Sequence, residues 1–331
     1  MKYLSTFTRC CYFLIMGMGI THAYIPTTWI QGTPQNIYSP SCTINASQEG
    51  GVYRPFMFEP EINIFTLAQK SQHMYGQCNV AGLGFRGTLY MDRMLRGLYS
   101  QIAIAALTNH GRIHDQASHV KHVSSSNLAD STITLGWKML NRKNLGVSAY
   151  IFGTIPAPHC ATYTPGIIRN WVGLDRHVTW GTGMDLWKRL WGTKLHHIDW
   201  LSDAQITFLT KRHAHAWMMT PDGYQLCPIT IHAHELYKLQ STLAYQFKNF
   251  ISDVGVQCFY MPAPYYDNYD TATQYDRRLE SSDLSVSLLC DVGAVFPCNK
   301  ASWYCSLGAQ LTEYNHSFDM WSANLKTGVR F

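Results

Sequence analysis

The 331-residue chain carries charge on only 14% of its positions, with a formal net charge of +5, where an ordinary soluble chain carries about 25%. Aromatic residues make up 13%, among them 20 Tyr and 10 Trp. So small a net charge argues against a nucleic-acid partner, and no uninterrupted run of 18 apolar residues is present to form a membrane-spanning helix.

At the start of the chain, Lys2 and Arg9 precede an apolar stretch from Cys10 to Ile20, and Thr21 and Ala23 place small residues at positions −3 and −1 of a cleavage site. The pattern predicts a secretory signal peptide over 1–23. The apolar stretch is about half of the ~20 residues that a spanning anchor requires. Removal of the peptide leaves a formal charge of +3 and eight cysteines, at 42, 78, 160, 227, 258, 290, 298 and 305. An even number in an exported chain permits disulfides, and none has the paired CxxC spacing of a zinc site. Cys160 and Cys227 are candidates for an exposed bridge; Cys290 and Cys305 are either a cross-strand pair or small apolar groups. Residues 24–59 hold Pro26, Pro34, Pro40, Gly32, Gly50 and Gly51 and little periodicity, which predicts an irregular N-terminal segment.

From residue 60 onward the chain reads as period-two strands. A less regular run, Ile62 to Leu67, is the first. Ala81, Leu83, Phe85, Leu89 and Met91 then alternate with Gly82, Gly84, Arg86, Thr88 and Tyr90. Ile102, Ile104 and Ala106 follow, then Ile133, Leu135, Trp137 and Met139, opposed by Thr132, Thr134, Gly136 and Lys138. Val147, Ala149 and Ile151 come next. Val178, Trp180, Met184 and Leu186 oppose Thr179, Gly181, Gly183 and Asp185. Ala204, Ile206 and Phe208 oppose Asp203, Gln205 and Thr207. Leu239, Leu243, Tyr245 and Phe247 oppose Lys238, Gln240, Thr242 and Lys248. Val254, Val256, Cys258 and Tyr260 continue the rhythm, then Leu284, Val286, Leu288 and Cys290 opposing Asp291. Trp303, Cys305, Leu307, Ala309 and Leu311 precede the final strand, in which Ala323, Leu325, Thr327, Val329 and Phe331 alternate with Asn324, Lys326, Gly328 and Arg330. These are about twelve strands.

The connections alternate in length. Short ones fall at 92–96, 141–144, 190–194, 248–252 and 297–300. Long ones fall at 108–130, 156–175, 210–233 and 262–282, with a middling one at 313–319. A soluble β-sandwich fits the composition but has no reason to keep that order.

The strand that ends on Phe331, together with the hairpin rhythm and the leader, resembles the bacterial outer-membrane β-barrels. No narrower family is indicated. The resemblance implies an all-β, transmembrane, antiparallel β-barrel over 60–331, closed by its last strand and located in the outer membrane of a Gram-negative-type bacterium. It implies that Leu325, Thr327, Val329 and Phe331 form the signal for the barrel-insertion machinery. Short turns then lie in the periplasm and long loops outside, and 24–59 lies in the periplasm or forms a partial plug. An aromatic girdle is expected from Trp137, Trp180, Trp187, Trp191, Trp200, Trp303 and Trp321 with Tyr237, Tyr245 and Tyr260. The expected partners are outer-membrane lipid, the insertion machinery and small polar solutes.

The inward parity carries Arg86, Lys138, Asp185, Asp203, Lys238, Gln240, Lys248, Asp291, Lys326 and Arg330 as candidates to line the lumen. Either they pass polar solutes, as in a porin-like channel, or they pair across the interior and fill it, leaving external loops to bind a ligand or host molecule. Two His-Ala-His triplets, His213/His215 and His232/His234, are candidate metal ligands; the plainer reading is a loop rich in His by composition. Gly82 to Gly87 spells GxGxxG but lies in a strand with no following helix, so the dinucleotide reading fails its context. No enzyme motif selects a site or a cofactor. A barrel hydrolase using Ser125, His122, His177 and Asp203 is the third reading.

Overall fold

Alternation puts one row of side chains on each side of a strand, and the strands are long because the alternation is long. The computed structural model describes residues 57–71, 76–91, 94–114, 120–128, 131–142, 144–155, 162–163, 178–193, 196–220, 223–232, 235–262, 265–268, 277–278, 283–298, 301–314 and 318–330. The leader over 1–23 and all but the last three residues of 24–59 lie outside the described residues. The strands in chain order are β1 (Met57–Ser71), β2 (Gly76–Tyr90), β3 (Leu98–His114), β4 (Val120–Leu128), β5 (Ser131–Arg142), β6 (Leu145–Ile155), β7 (Thr162–Tyr163), β8 (Thr179–Gly192) and β9 (His196–Leu209). They continue with β10 (Arg212–Thr220), β11 (Gly223–His232), β12 (Leu236–Phe247), β13 (Phe250–Met261), β14 (Tyr265–Asn268), β15 (Arg277–Arg278), β16 (Asp283–Cys298), β17 (Ala301–Tyr314) and β18 (Phe318–Arg330).

One antiparallel sheet holds 13 of these strands, in the order β2-β1-β18-β17-β16-β13-β12-β9-β8-β6-β5-β3-β4, with a further pairing of β2 to β3. The first strand lies against the last, from Glu61 opposite Gly328 to Ser71 opposite Phe318. The period-two runs read from the sequence lie within strands of this sheet. β4 pairs with the distal part of β3, and β5 with its proximal part.

The long connections hold more order than expected. A second sheet of 5 strands, in the order β15-β14-β11-β10-β7, is assembled from three of the stretches predicted as loops. Its longest element is the β10–β11 hairpin, Arg212 opposite Ile231 through Thr220 opposite Gly223.

The two faces of the large sheet have inverted character. Among the described residues, buried polar side chains outnumber buried apolar ones by more than two to one, while large apolar side chains crowd the exposed face. Leu307 is 65% exposed and Lys326 0%. A water-soluble domain has the reverse arrangement. Hydroxyls on the exposed face are tied back to the sheet: Thr182 donates to the Tyr150 carbonyl, Ser202 to that of Gln240 and Thr327 to that of Tyr304. The indole N–H of Trp200 donates to Ser241.

Exposed-face aromatics gather at the two ends of the strands. Trp180 stacks on Phe208 with ring centroids 4.4 Å apart, and Tyr237 lies 6.2 Å from Tyr260, at the end with the long connections. Trp191, His196, Tyr245 and Phe247 cluster at the other end, with Phe296 and Trp303 6.0 Å apart. The eleven-residue step from Trp180 to Trp191 spans roughly 36 Å of strand, or about 27 Å along the normal at a tilt near 40°. That is close to the height of a lipid-facing band.

Trp187 departs from the expected girdle. It shares a face with Asp185, is 3% exposed and lies on the buried face, where its N–H meets Asp199. Cys290 stands opposite Ala309 and Cys305 opposite Ala294, so the two are four positions out of register and do not pair; both are free thiols. Cys160 lies outside the described residues, and Cys227 stands opposite Ala216.

The exposed apolar face makes a direct prediction. Leu307→Arg, midway between the two aromatic levels, should cost about 2–4 kcal/mol in urea unfolding from lipid vesicles. A surface leucine of a soluble sandwich would change stability by about 0.5 kcal/mol or less.

Candidate functional site: the polar buried face

Two clusters of opposite charge organise the buried face, and they are built alike. In the first, register sets Asp185 of β8 directly opposite Asp203 of β9, with Gln240 of β12 on the far side of Asp203. Carboxylates facing each other across a pair of strands repel. Lys238 of β12 offsets this through its ammonium, 2.7 Å from Asp203 Oδ2. Tyr150 of β6 reaches over β8 and donates from its hydroxyl to Asp203 Oδ1 at 2.6 Å. The reach requires Gly183, which stands opposite Tyr150, because a Cβ there would collide with the Tyr150 hydroxyl.

In the second, Asp253 of β13 faces Asp291 of β16. Lys326 of β18 donates to both Asp291 oxygens, at 2.9 and 3.0 Å. The lysine reaches them across β17, and Gly308, opposite both Asp291 and Asn324, leaves room for the Asp291 carboxylate, which a Cβ there would strike. Lys326 is fully buried. An ammonium so placed is tolerated only with its counter-charge in contact.

A third constellation lies at the short-connection end. Asp199, wholly buried, accepts from Arg189 Nε at 3.0 Å, from Arg189 Nη2 at 3.3 Å and from Trp187 Nε1 at 3.1 Å. His197 Nε2 lies 3.4 Å from the same carboxylate, and its Nδ1 is 3.1 Å from the Thr193 carbonyl oxygen. The clamp sits at the irregularity between Arg189 and Trp191, where the β8–β9 register shifts.

Around these charges the lining is hydroxyl and amide. Thr132 is 3.4 Å from Thr154, Ser287 is 2.8 Å from Thr312, and Gln310 donates to both members of the latter pair. Register aligns Gln240, Gln257, Ser287 and Thr312 in one rank across β12, β13, β16 and β17.

Of the other lining candidates, Arg86 is buried, and Lys138 is half-buried with its ammonium 4.7 Å from the centroid of the Tyr90 ring. Lys248 is not in a strand; it occupies the β12–β13 turn, exposed, at φ 52°. The Arg330 side chain and Phe331 lie outside the described residues. Leu325 is exposed, Thr327 is half-buried, and Val329 stands opposite Trp303. His213 stands opposite Thr230, His215 opposite Pro228 and His232 opposite Tyr265, and His234 lies outside the described residues. Among the described residues no group of three His, Cys, Asp or Glu is placed to hold a metal ion. Asp203, considered for a hydrolase, is engaged by Tyr150 and Lys238.

Asp199, Asp253, Arg189 and Tyr150 were not singled out in the sequence. Parity held the signal: Asp199 is four residues before Asp203, and Asp253 one before Val254. The buried pair yields a test. Lys326→Met leaves Asp253 and Asp291 without their ammonium and should cost about 3–5 kcal/mol in chemical unfolding. The double variant Asp291→Asn/Lys326→Met should recover at least half of that loss. A double variant no more stable than the single one would contradict the pairing.

No protein-family model and no curated protein matches the chain. Solved structures do. A crystal structure of an outer-membrane channel from Pseudomonas putida matches with a TM-score of 0.55 at 12% identity, over 85% of this chain and 97% of that one. The transport unit of an Escherichia coli autotransporter matches at 0.46 and 8% identity over 93% and 99%, and a Pseudomonas putida toluene transporter at 0.45 and 9% over 93% and 97%. With its all-β antiparallel sheet and inverted faces, the chain has the fold of the bacterial outer-membrane β-barrels, with no narrower family.

Proposed function

We propose that the chain is a closed barrel of twelve strands that spans a bacterial outer membrane, reached with a cleaved leader and the barrel-insertion machinery, and that its polar interior passes small polar solutes. The pairings support closure. Followed from β1 through β2, β3, β5, β6, β8, β9, β12, β13, β16, β17 and β18, they return to β1. In hydrocarbon each unpaired backbone group costs several kcal/mol, so a ring without an edge is the state a bilayer favours.

The inversion of the two faces carries the functional reading. Threonine, serine, glutamine and charges of both signs replace water's hydrogen bonds for a polar solute, and the apolar residues face lipid. The likeness to an outer-membrane channel supports passage in kind and names no solute.

A second reading is an envelope protein with a filled interior, whose loops bind a ligand. The absence of exposure at Asp199, Ser287 and Lys326 favours it, as does the sheet built from the long connections. On both readings the buried Asp291–Lys326 pair occupies space within the barrel.

Conductance separates them. Purified protein in a planar bilayer should give small discrete steps, and Asp291→Ala/Lys326→Ala should enlarge them severalfold. Silence from both proteins would contradict passage and support the filled interior.

A further inference from the structure

The rim formed by the short connections carries one sign of charge. Arg96 lies in the β2–β3 connection, Arg142 ends β5, Lys188 lies near the end of β8, and Lys248 occupies the β12–β13 turn; all four are exposed. No exposed carboxylate accompanies them among the described side chains of that rim. The same connections hold Arg93, Lys143, Lys194 and Lys300 in sequence, against Asp92 as the one acid. The opposite rim is mixed, with Lys211, Glu235 and Glu313 among its members. The four hairpins are consecutive around the sheet, so their cations form an arc.

These cations stand at the level of exposed aromatics. Trp137, Trp191, Phe247, Phe250, Phe296 and Trp303 are each more than two-fifths exposed at the same ends of the strands. Lys188 stands opposite Trp200 on the outward parity, and the Lys248 ammonium lies 5.4 Å from the Phe247 ring centroid. Indole and phenyl rings at a strand end mark the headgroup level of a bilayer. Long cationic side chains beside them extend their charge to that level, within a Debye length of lipid phosphates.

We infer that this rim binds the phosphates of anionic phospholipid headgroups in the adjoining leaflet. The inference rests on the membrane-spanning reading and goes beyond it by naming the lipid class and the residues. A soluble acidic polymer fits less well, because Lys188 is on the lipid-facing parity beside Trp200.

Tryptophan quenching tests it. The full chain is folded into phosphatidylcholine vesicles containing a fraction of dibrominated phosphatidylglycerol or, separately, of dibrominated phosphatidylcholine. The wild type should select the anionic lipid roughly threefold or more at low salt, and 1 M salt should remove the preference. Arg142→Gln/Lys188→Gln/Lys248→Asn should abolish it, while Arg142→Lys/Lys188→Arg/Lys248→Arg retains it. Asn suits the positive φ at 248. Equal quenching by both lipids in the wild type, or a preference unchanged by salt, overturns the inference and leaves the membrane reading standing. Absence of quenching by either lipid overturns both.

Discussion

The pairing of the last strand with the first is the constraint on which the rest depends. Eleven residue pairs join β1 to β18, and β18 is in turn fully paired with β17. A chain that buried its apolar side chains inward could leave such edges in water at little cost. A chain that turns Leu307, Leu311 and Leu325 outward needs lipid around it, and lipid offers no partner to an open edge. The alternation that continues to Val329 is thus part of the same device as the apolar exterior.

Once the exposed face of the sheet is apolar, the buried face must take the polar side chains, and its problem becomes charge. Strand register places Asp185 against Asp203 and Asp253 against Asp291, and each pair recruits a lysine from a strand further along the sheet. The solution is local and repeated. Glycine at 183 makes room for the Tyr150 ring and glycine at 308 for the Asp291 carboxylate, and tyrosine and lysine bond to groups two strands away from their own backbone. On the proposed reading, the same contacts that stabilise the interior also set how narrow it is.

The side on which each residue lies was legible in the sequence, because period two needs no partner to be read. Arg86, Lys238, Asp291 and Lys326 are all buried, and Leu239, Leu243 and Leu307 are exposed, as alternation required. What touches what was not legible. Register is set by pairing between distant segments, so the opposition of Asp253 to Asp291 appears only in the folded sheet. Trp187 shows the cost of reading residue type over parity: it was grouped with the girdle for being a tryptophan, yet it shares a face with Asp185 and serves Asp199. Lys248 shows the opposite error, since the alternation was extended one residue past Phe247 into a turn. The β10–β11 hairpin escaped because Trp217 falls on the same parity as His213 and His215 and Pro228 cannot donate to a ladder, although the backbone of β10 pairs along its whole length.

The central claim is that the two parities of one strand meet different solvents. Spin labels placed singly along β12, from Tyr237 to Phe247 in a background without other cysteines, test this in vesicles by collision with oxygen and with a water-soluble nickel chelate. The outward positions, 239, 241 and 243, should collide with oxygen and be screened from the chelate, with their inward neighbours at 240 and 242 showing little oxygen access. Chelate collisions at 239 and 243 as frequent as those of a soluble surface site would contradict the account.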